Sequence, residues 1–107
     1  MDRTDIEALR IRLETLVREN WGPKDTDLQV FSTLRTDNKI DMRIVSPLFE
    51  GKDGLEREAF FYPVFAPIPK TEMLYMTYCL LLTPEEEARV FAVPRQRGGE
   101  DNTDNWA

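Results

Sequence analysis

Gly51-Lys52-Asp53-Gly54 places two of the chain's five glycines three apart, around one base and one acid. Residues of these types at this spacing have two physical uses. Glycines at both ends let a backbone approach a nucleic-acid strand closely, with Lys52 as the counter-charge. They equally let two short helices meet at a sharp angle. Asp53, with Glu50, Glu56 and Glu58 nearby, sets four acids against the two bases Lys52 and Arg57, so repulsion of a phosphate outweighs attraction. The expectation is a helix–helix turn, with nucleic-acid contact as the alternative.

Cys79 is the single thiol, and there is no histidine in the 107 residues. Without imidazole the chain lacks the usual neutral-pH base and the commonest metal ligand. Nothing is present to activate Cys79 as a nucleophile, so it reads as a small buried apolar residue and only a remote candidate for metal binding. Glu85-Glu86-Glu87 resembles an acid cluster, but three acids in a first helical turn are explained by capping and the helix dipole. No base, phosphate loop or metal set remains. The expectation is a protein without catalytic residues, not an enzyme.

Length and composition agree with one soluble domain of ordinary hydrophobic and charged content, 41% and 32%. A single cysteine rules out an internal disulfide and suits a reducing cytoplasm. The start MDRTDIEALR has no apolar core, so it does not read as a signal peptide. The longest apolar run, MLYMTYCLLL, is about half of the ~20 residues that a membrane span needs. A net charge of -6 disfavours non-specific nucleic-acid binding. A cytoplasmic protein, monomeric or weakly dimeric and away from membranes, is expected.

The elements that must position these residues follow from periodicity. Thr4-x-x-Glu7 reads as a capping box opening a helix over residues 4–20, with Ile6, Leu9, Leu13, Leu16 and Val17 inward and Gly22-Pro23 as the stop. Residues 28–34 read as a strand, and Asp37-Asn38 as a turn. A second strand then puts Ile40, Met42 and Ile44 on one face and Asp41 and Arg43 on the other. Ser46-Pro47 opens a single helical turn that Gly51 stops. A further helix after Gly54 would turn Leu55, Ala59 and Tyr62 inward and end near Pro63.

PVFAPIPK reads as an extended linker, and residues 73–82 as the strongest strand. In that strand Leu74, Met76, Tyr78, Leu80 and Leu82 share one face. Met73, Tyr75, Thr77, Cys79 and Leu81 share the other. Thr83-Pro84-Glu85-Glu86 is a second capping box, opening a helix to about Ala92. Phe60, Phe61, Phe65 and Ile68 exceed what a short helix and a proline-rich turn can bury, which leaves apolar surface for a partner. One domain over 1–93 is expected, with a disordered polar tail over 94–107. The predicted class is α+β, in the order α-β-β-α-α-β-α, with a small three-stranded mixed sheet and helices on one face.

Ser46, Phe49, Gly51, Arg57 and Tyr62, followed by Thr83-Pro84-Glu85-Glu86, stand at the offsets of the BolA-like family, whose fold is related to the class II KH domain. The chain resembles that family over about residues 40–87, and over the first helix and strand by pattern only. The resemblance implies a partner, a monothiol glutaredoxin, and a [2Fe–2S] cluster shared with it. It also implies a contact surface at Gly51, Lys52, Asp53, Gly54, Arg57, Tyr75 and Thr77. BolA-like proteins have also been viewed as transcriptional regulators, which implies KH-like nucleic-acid binding through the GKDG turn.

Three family histidine positions carry other residues, namely Lys39, Glu58 and Tyr75, and the loop STLRTDNK holds neither Cys nor His. Cluster ligation needs thiolate or imidazole donors. Cys79 lies four strand residues beyond Tyr75, ~13 Å away, too far to substitute in place. The expectation is a protein-binding member of the family with no cofactor of its own.

Overall fold

The structure, a computed structural model, describes residues 1–92; the tail expected at 94–107 lies outside them. The first helix, α1, spans Arg3–Trp21 and buries Ile6, Leu9, Leu13, Val17 and Trp21. Its start differs from the sequence reading. The Asp2 carboxylate accepts from the Asp5 amide at 2.9 Å and caps the helix two residues before Thr4. Glu7, freed from the expected box, pairs with Arg10 at 2.5 Å.

Strands β1 (Gln29–Leu34) and β2 (Ile40–Val45) pair antiparallel, from Gln29 opposite Val45 to Leu34 opposite Ile40. The turn between them closes with Arg35 N–H donating to the Lys39 carbonyl at 2.8 Å, and Asn38 takes a left-handed φ of 63°. The third strand, β3 (Met76–Leu82), pairs parallel to β2, so the sheet is mixed, open and ordered β1-β2-β3. Ile40, Met42, Ile44, Val30 and Leu81 face α1 in one core.

β3 starts three residues later than its sequence suggests. Lys70–Met73 closes a short helix, α3, and draws Met73 out of the strand. A bulge then follows, because Ile40 pairs with Met76 and Asp41 with Tyr78, which leaves Thr77 as the extra residue. The expected split of faces holds only past the bulge. There Cys79 and Leu81 lie opposite Met42 and Ile44, while Tyr78 and Leu80 lie opposite Asp41 and Arg43.

Between β2 and β3, Ser46 caps a 3-10 turn at Pro47–Phe49 and donates from Oγ to the buried Asp25 carboxylate at 2.5 Å. Helix α2 (Gly54–Phe61) follows, and its inward residues are Arg57 and Phe61. Leu55, Ala59 and Tyr62, expected inward, are exposed, Leu55 by 79%. The rings decide this rotation: Phe61 packs on Trp21, Phe49 and Phe65 at 5.1, 5.9 and 5.7 Å.

The proline stretch is also not extended. Tyr62–Phe65 forms a 3-10 turn, which the fixed φ of proline permits, and Val64, Phe65 and Ile68 are buried by it. Only Phe60 of the four apolar residues expected to be in excess stays in part outside, at 44% exposure.

The capping box at Thr83 opens α4 (Pro84–Glu87), as expected, and Ala88–Ala92 continues it with wider π-helical spacing. This last segment reaches the other face of the sheet. Arg43 stacks between Phe31 and Phe91 at 4.2 and 4.1 Å, and Glu87 stands 3.6 Å from it. The helices thus do not all lie on one side. Arginines of α1 cover the outer edge of β1: Arg3 donates to the Leu34 and Arg35 carbonyls, Arg18 to Val30, and Arg10 to the Ser32 hydroxyl. The class is α+β, with four helices and a small open sheet among the described residues.

Candidate functional site

The GKDG turn is built as a joint. Gly51 has φ of +80°, which a side chain adopts only under strain, and a Cβ there would meet open space. The Lys52 amide donates to Phe49 and the Asp53 amide to Glu56, at 3.2 and 2.8 Å. Asp53 returns the second bond as the N-cap of α2, accepting from Glu56 N–H at 2.9 Å. Two of the four amides that this turn could offer a phosphate are therefore already used. The Lys52 ammonium lies over the Phe60 ring at 4.5 Å, and Lys24 lies over the neighbouring Trp21 at 6.0 Å.

Gly51→Ala is expected to cost about 1 kcal/mol or slightly more, through its left-handed backbone. Gly54→Ala should be neutral or mildly stabilising, since it opens α2 in free space. Urea denaturation of both variants checks this; equal costs would show that backbone conformation does not select the glycine.

Arg57 closes the joint from within. Its Nε donates to the Lys52 carbonyl at 2.9 Å and Nη1 to the Leu81 carbonyl at 3.0 Å. The Glu86 carboxylate accepts two further bonds, at 2.6 and 3.0 Å. With its side chain only 12% exposed, Arg57 ties the start of α2 to the end of β3 and the start of α4. Glu86, not recognised from sequence as its partner, also accepts from Thr83 N–H. A Thr-Pro-Glu-Glu start is visible in sequence, but nothing local links it to an arginine 29 residues earlier.

The Arg57 guanidinium holds the Glu86 carboxyl at about 2, below the ordinary 4.5. A depressed folded value means that the ionised pair stabilises fully above 4.5 and loses that contribution as pH falls toward 2. Glu86→Gln is therefore expected to flatten the acid limb of the stability–pH curve between these values, read by thermal unfolding. An unchanged limb would place the acid sensitivity elsewhere.

Tyr75 and Thr77 lie at the opposite end of β3 from the Arg57 contact at Leu81. Six residues of strand separate Tyr75 from Leu81, ~20 Å. The expected surface is thus divided into two places. At the second, Tyr75 is half-buried, and its carbonyl accepts from Ile40 N–H at 2.8 Å. Its ring carries the Lys39 ammonium at 5.6 Å, and the N-terminal amine stands 3.5 Å from its hydroxyl. Leu74 beside it is 74% exposed, and Thr77 and Tyr78 are exposed. Glu58 lies apart on α2.

Cys79 faces the core next to Tyr62. Burial pushes its thiol up to about 12, against a smaller opposing effect of the Tyr62 hydrogen bond. It is a thiol where an iron ligand needs a thiolate. No group of three or more Cys, Asp or Glu that could hold a metal ion occurs among the described residues. The donors present therefore do not fit a [2Fe–2S] cluster. Nor is any described helix long and apolar enough to cross a membrane.

Together these features define a small α+β domain with a rigid turn at one end of its last strand and a mixed aromatic and cationic corner at the other. Comparison with protein-family models, with curated proteins and with solved structures finds no match to this chain.

Proposed function

We propose that the chain is a non-enzymatic, BolA-like binding protein of the cytoplasm that acts by protein–protein contact. A monothiol glutaredoxin is the partner its sequence resemblance implies, bound without the family's usual cluster ligation. The Lys39–Tyr75 corner carries this reading. Two positions that hold histidine in that family meet there, and they hold an ammonium against a phenol ring. Neither group replaces imidazole as an iron ligand. Exposed Leu74, Thr77 and Tyr78 around the pair supply apolar and aromatic contact area instead.

The test is titration into cluster-loaded monothiol glutaredoxin, followed by visible circular dichroism and gel filtration. Co-elution with an unchanged cluster spectrum is expected, and loss of co-elution with Leu74→Asp, whose side chain is too exposed to matter for folding. A changed spectrum would overturn the absence of ligation, and failure to co-elute would remove the partner.

The second reading, a KH-like nucleic-acid-binding regulator, is favoured by Lys24 and Lys52 on the Trp21 and Phe60 rings beside the GKDG turn. It predicts binding to single-stranded DNA or RNA at low salt that falls steeply as salt rises. Absence of binding at low salt ends it.

A further inference from the structure

We propose that the face of the sheet away from α1 holds a ligand site for a small carboxylate with an apolar or aromatic body. A groove of about 420 Å³, lined on that face by Phe31, Arg43, Tyr78 and Leu80, extends as far as Glu14 of α1. That size suits a compact organic ligand. The polar group that selects the ligand is Arg43, and it differs from Arg57, the other largely buried arginine. Arg57 makes four hydrogen bonds, and its role in the fold accounts for all of them.

Arg43 is mostly buried, with 17% of its side chain exposed, yet its Nε has no hydrogen-bond acceptor among the described residues. Glu87, at 3.6 Å, stands beyond hydrogen-bond reach. A buried donor left unmade is unfavourable, and a charged one more so.

The stacking around Arg43 sets which acceptor fits. Phe31 and Phe91 cover the guanidinium at 4.2 and 4.1 Å. A guanidinium covered on its faces bonds in its own plane, where a planar carboxylate makes two parallel bonds; Nε itself is enclosed, so the covering rings must shift for a ligand to reach it. The rest of the ligand would lie against the rings of Phe31 and Tyr78, which are 41% and 45% exposed.

Each of the two acids of the groove has an arginine beside it, which lessens its repulsion of such an anion, although Asp41 shares Arg35 with Asp37 at 2.8 Å and Glu87 stands beside Arg43. Asp41 faces Arg35 at 3.4 Å, while Glu14 faces Arg10 and Arg18 at 3.4 and 3.3 Å. The site is separate from the proposed partner surface and does not rest on that reading.

The test compares 2-naphthylacetate with its neutral isostere 2-naphthylacetamide, titrated into the full chain and followed by calorimetry and amide chemical shifts. The acid should bind roughly tenfold or more tighter than the amide, as a charge-assisted pair implies. Shift changes should centre on Phe31, Arg43 and Tyr78. Arg43→Met should abolish the difference between the two compounds, and Tyr78→Ala should weaken both by a similar factor. Tyr78 is exposed, so that variant keeps the test decisive even if Arg43→Met does not fold. Equal binding of acid and amide, no binding of either, or shift changes confined to another surface would each overturn the site.

Discussion

Phe61→Ala is expected to remove about 3–5 kcal/mol of stability, the range for deleting a fully buried ring. Small domains have about 5–15 kcal/mol in all, so this one change brings the protein close to unfolding. The size follows from what the ring touches. Phe61 has no exposed surface and meets Trp21 from α1, Phe49 from the 3-10 turn and Phe65 from the proline stretch. Three segments distant in sequence lose one common neighbour. Leu55→Ala, on the same helix, is the control, and should stay within about 0.5 kcal/mol because Leu55 is already in solvent. Urea midpoints of the two variants decide the matter. A larger loss at Leu55 would mean that α2 faces the other way.

The second large effect is at Arg57. Replacing it with Ala should cost about 3 kcal/mol, because one partner of a largely buried pair is removed and its acceptors are left behind. The carbonyls of Lys52 and Leu81 lose their donor, and the Glu86 carboxylate loses two bonds. In a domain of this size the melting temperature should fall by more than about 10 °C. Arg57→Lys should recover little, since an ammonium cannot reproduce the planar fork that serves three acceptor groups at once. If lysine restored the melting temperature, charge alone would hold the joint, and the geometric account would be wrong.

What was legible in the sequence is what neighbouring residues decide between themselves. Ile6, Leu9, Leu13 and Val17 mark their helix by spacing alone, and Thr83 meets Glu86 within one turn. Ile40, Met42 and Ile44 show their face by alternation. Local rules misled where two were available. Asp2 and Thr4 are both good caps, and the earlier one wins.

Helix α2 is apolar on more than one side, so its rotation rests on rings that arrive from elsewhere, and periodicity chose the wrong stripe. A charged residue such as Arg57 reads as solvent-facing until its partner 29 positions away is known. The bond between Ser46 and Asp25 spans 21 positions and was equally invisible. The candidate sites suffer most from this. Lys39 meets Tyr75 only because β2 and β3 run parallel, and Arg43 is enclosed only because the chain returns over the sheet after β3.

The row formed by Arg3, Arg10 and Arg18 has a consequence for how copies of this protein can associate. A three-stranded sheet has two sides at which another backbone could be added, and growth into a fibril requires both. Here the Val30 and Leu34 carbonyls at the β1 edge already accept from guanidinium groups of the same chain. Adding a backbone strand at β1 would first have to displace those bonds, which makes β3 the favoured side for any such association.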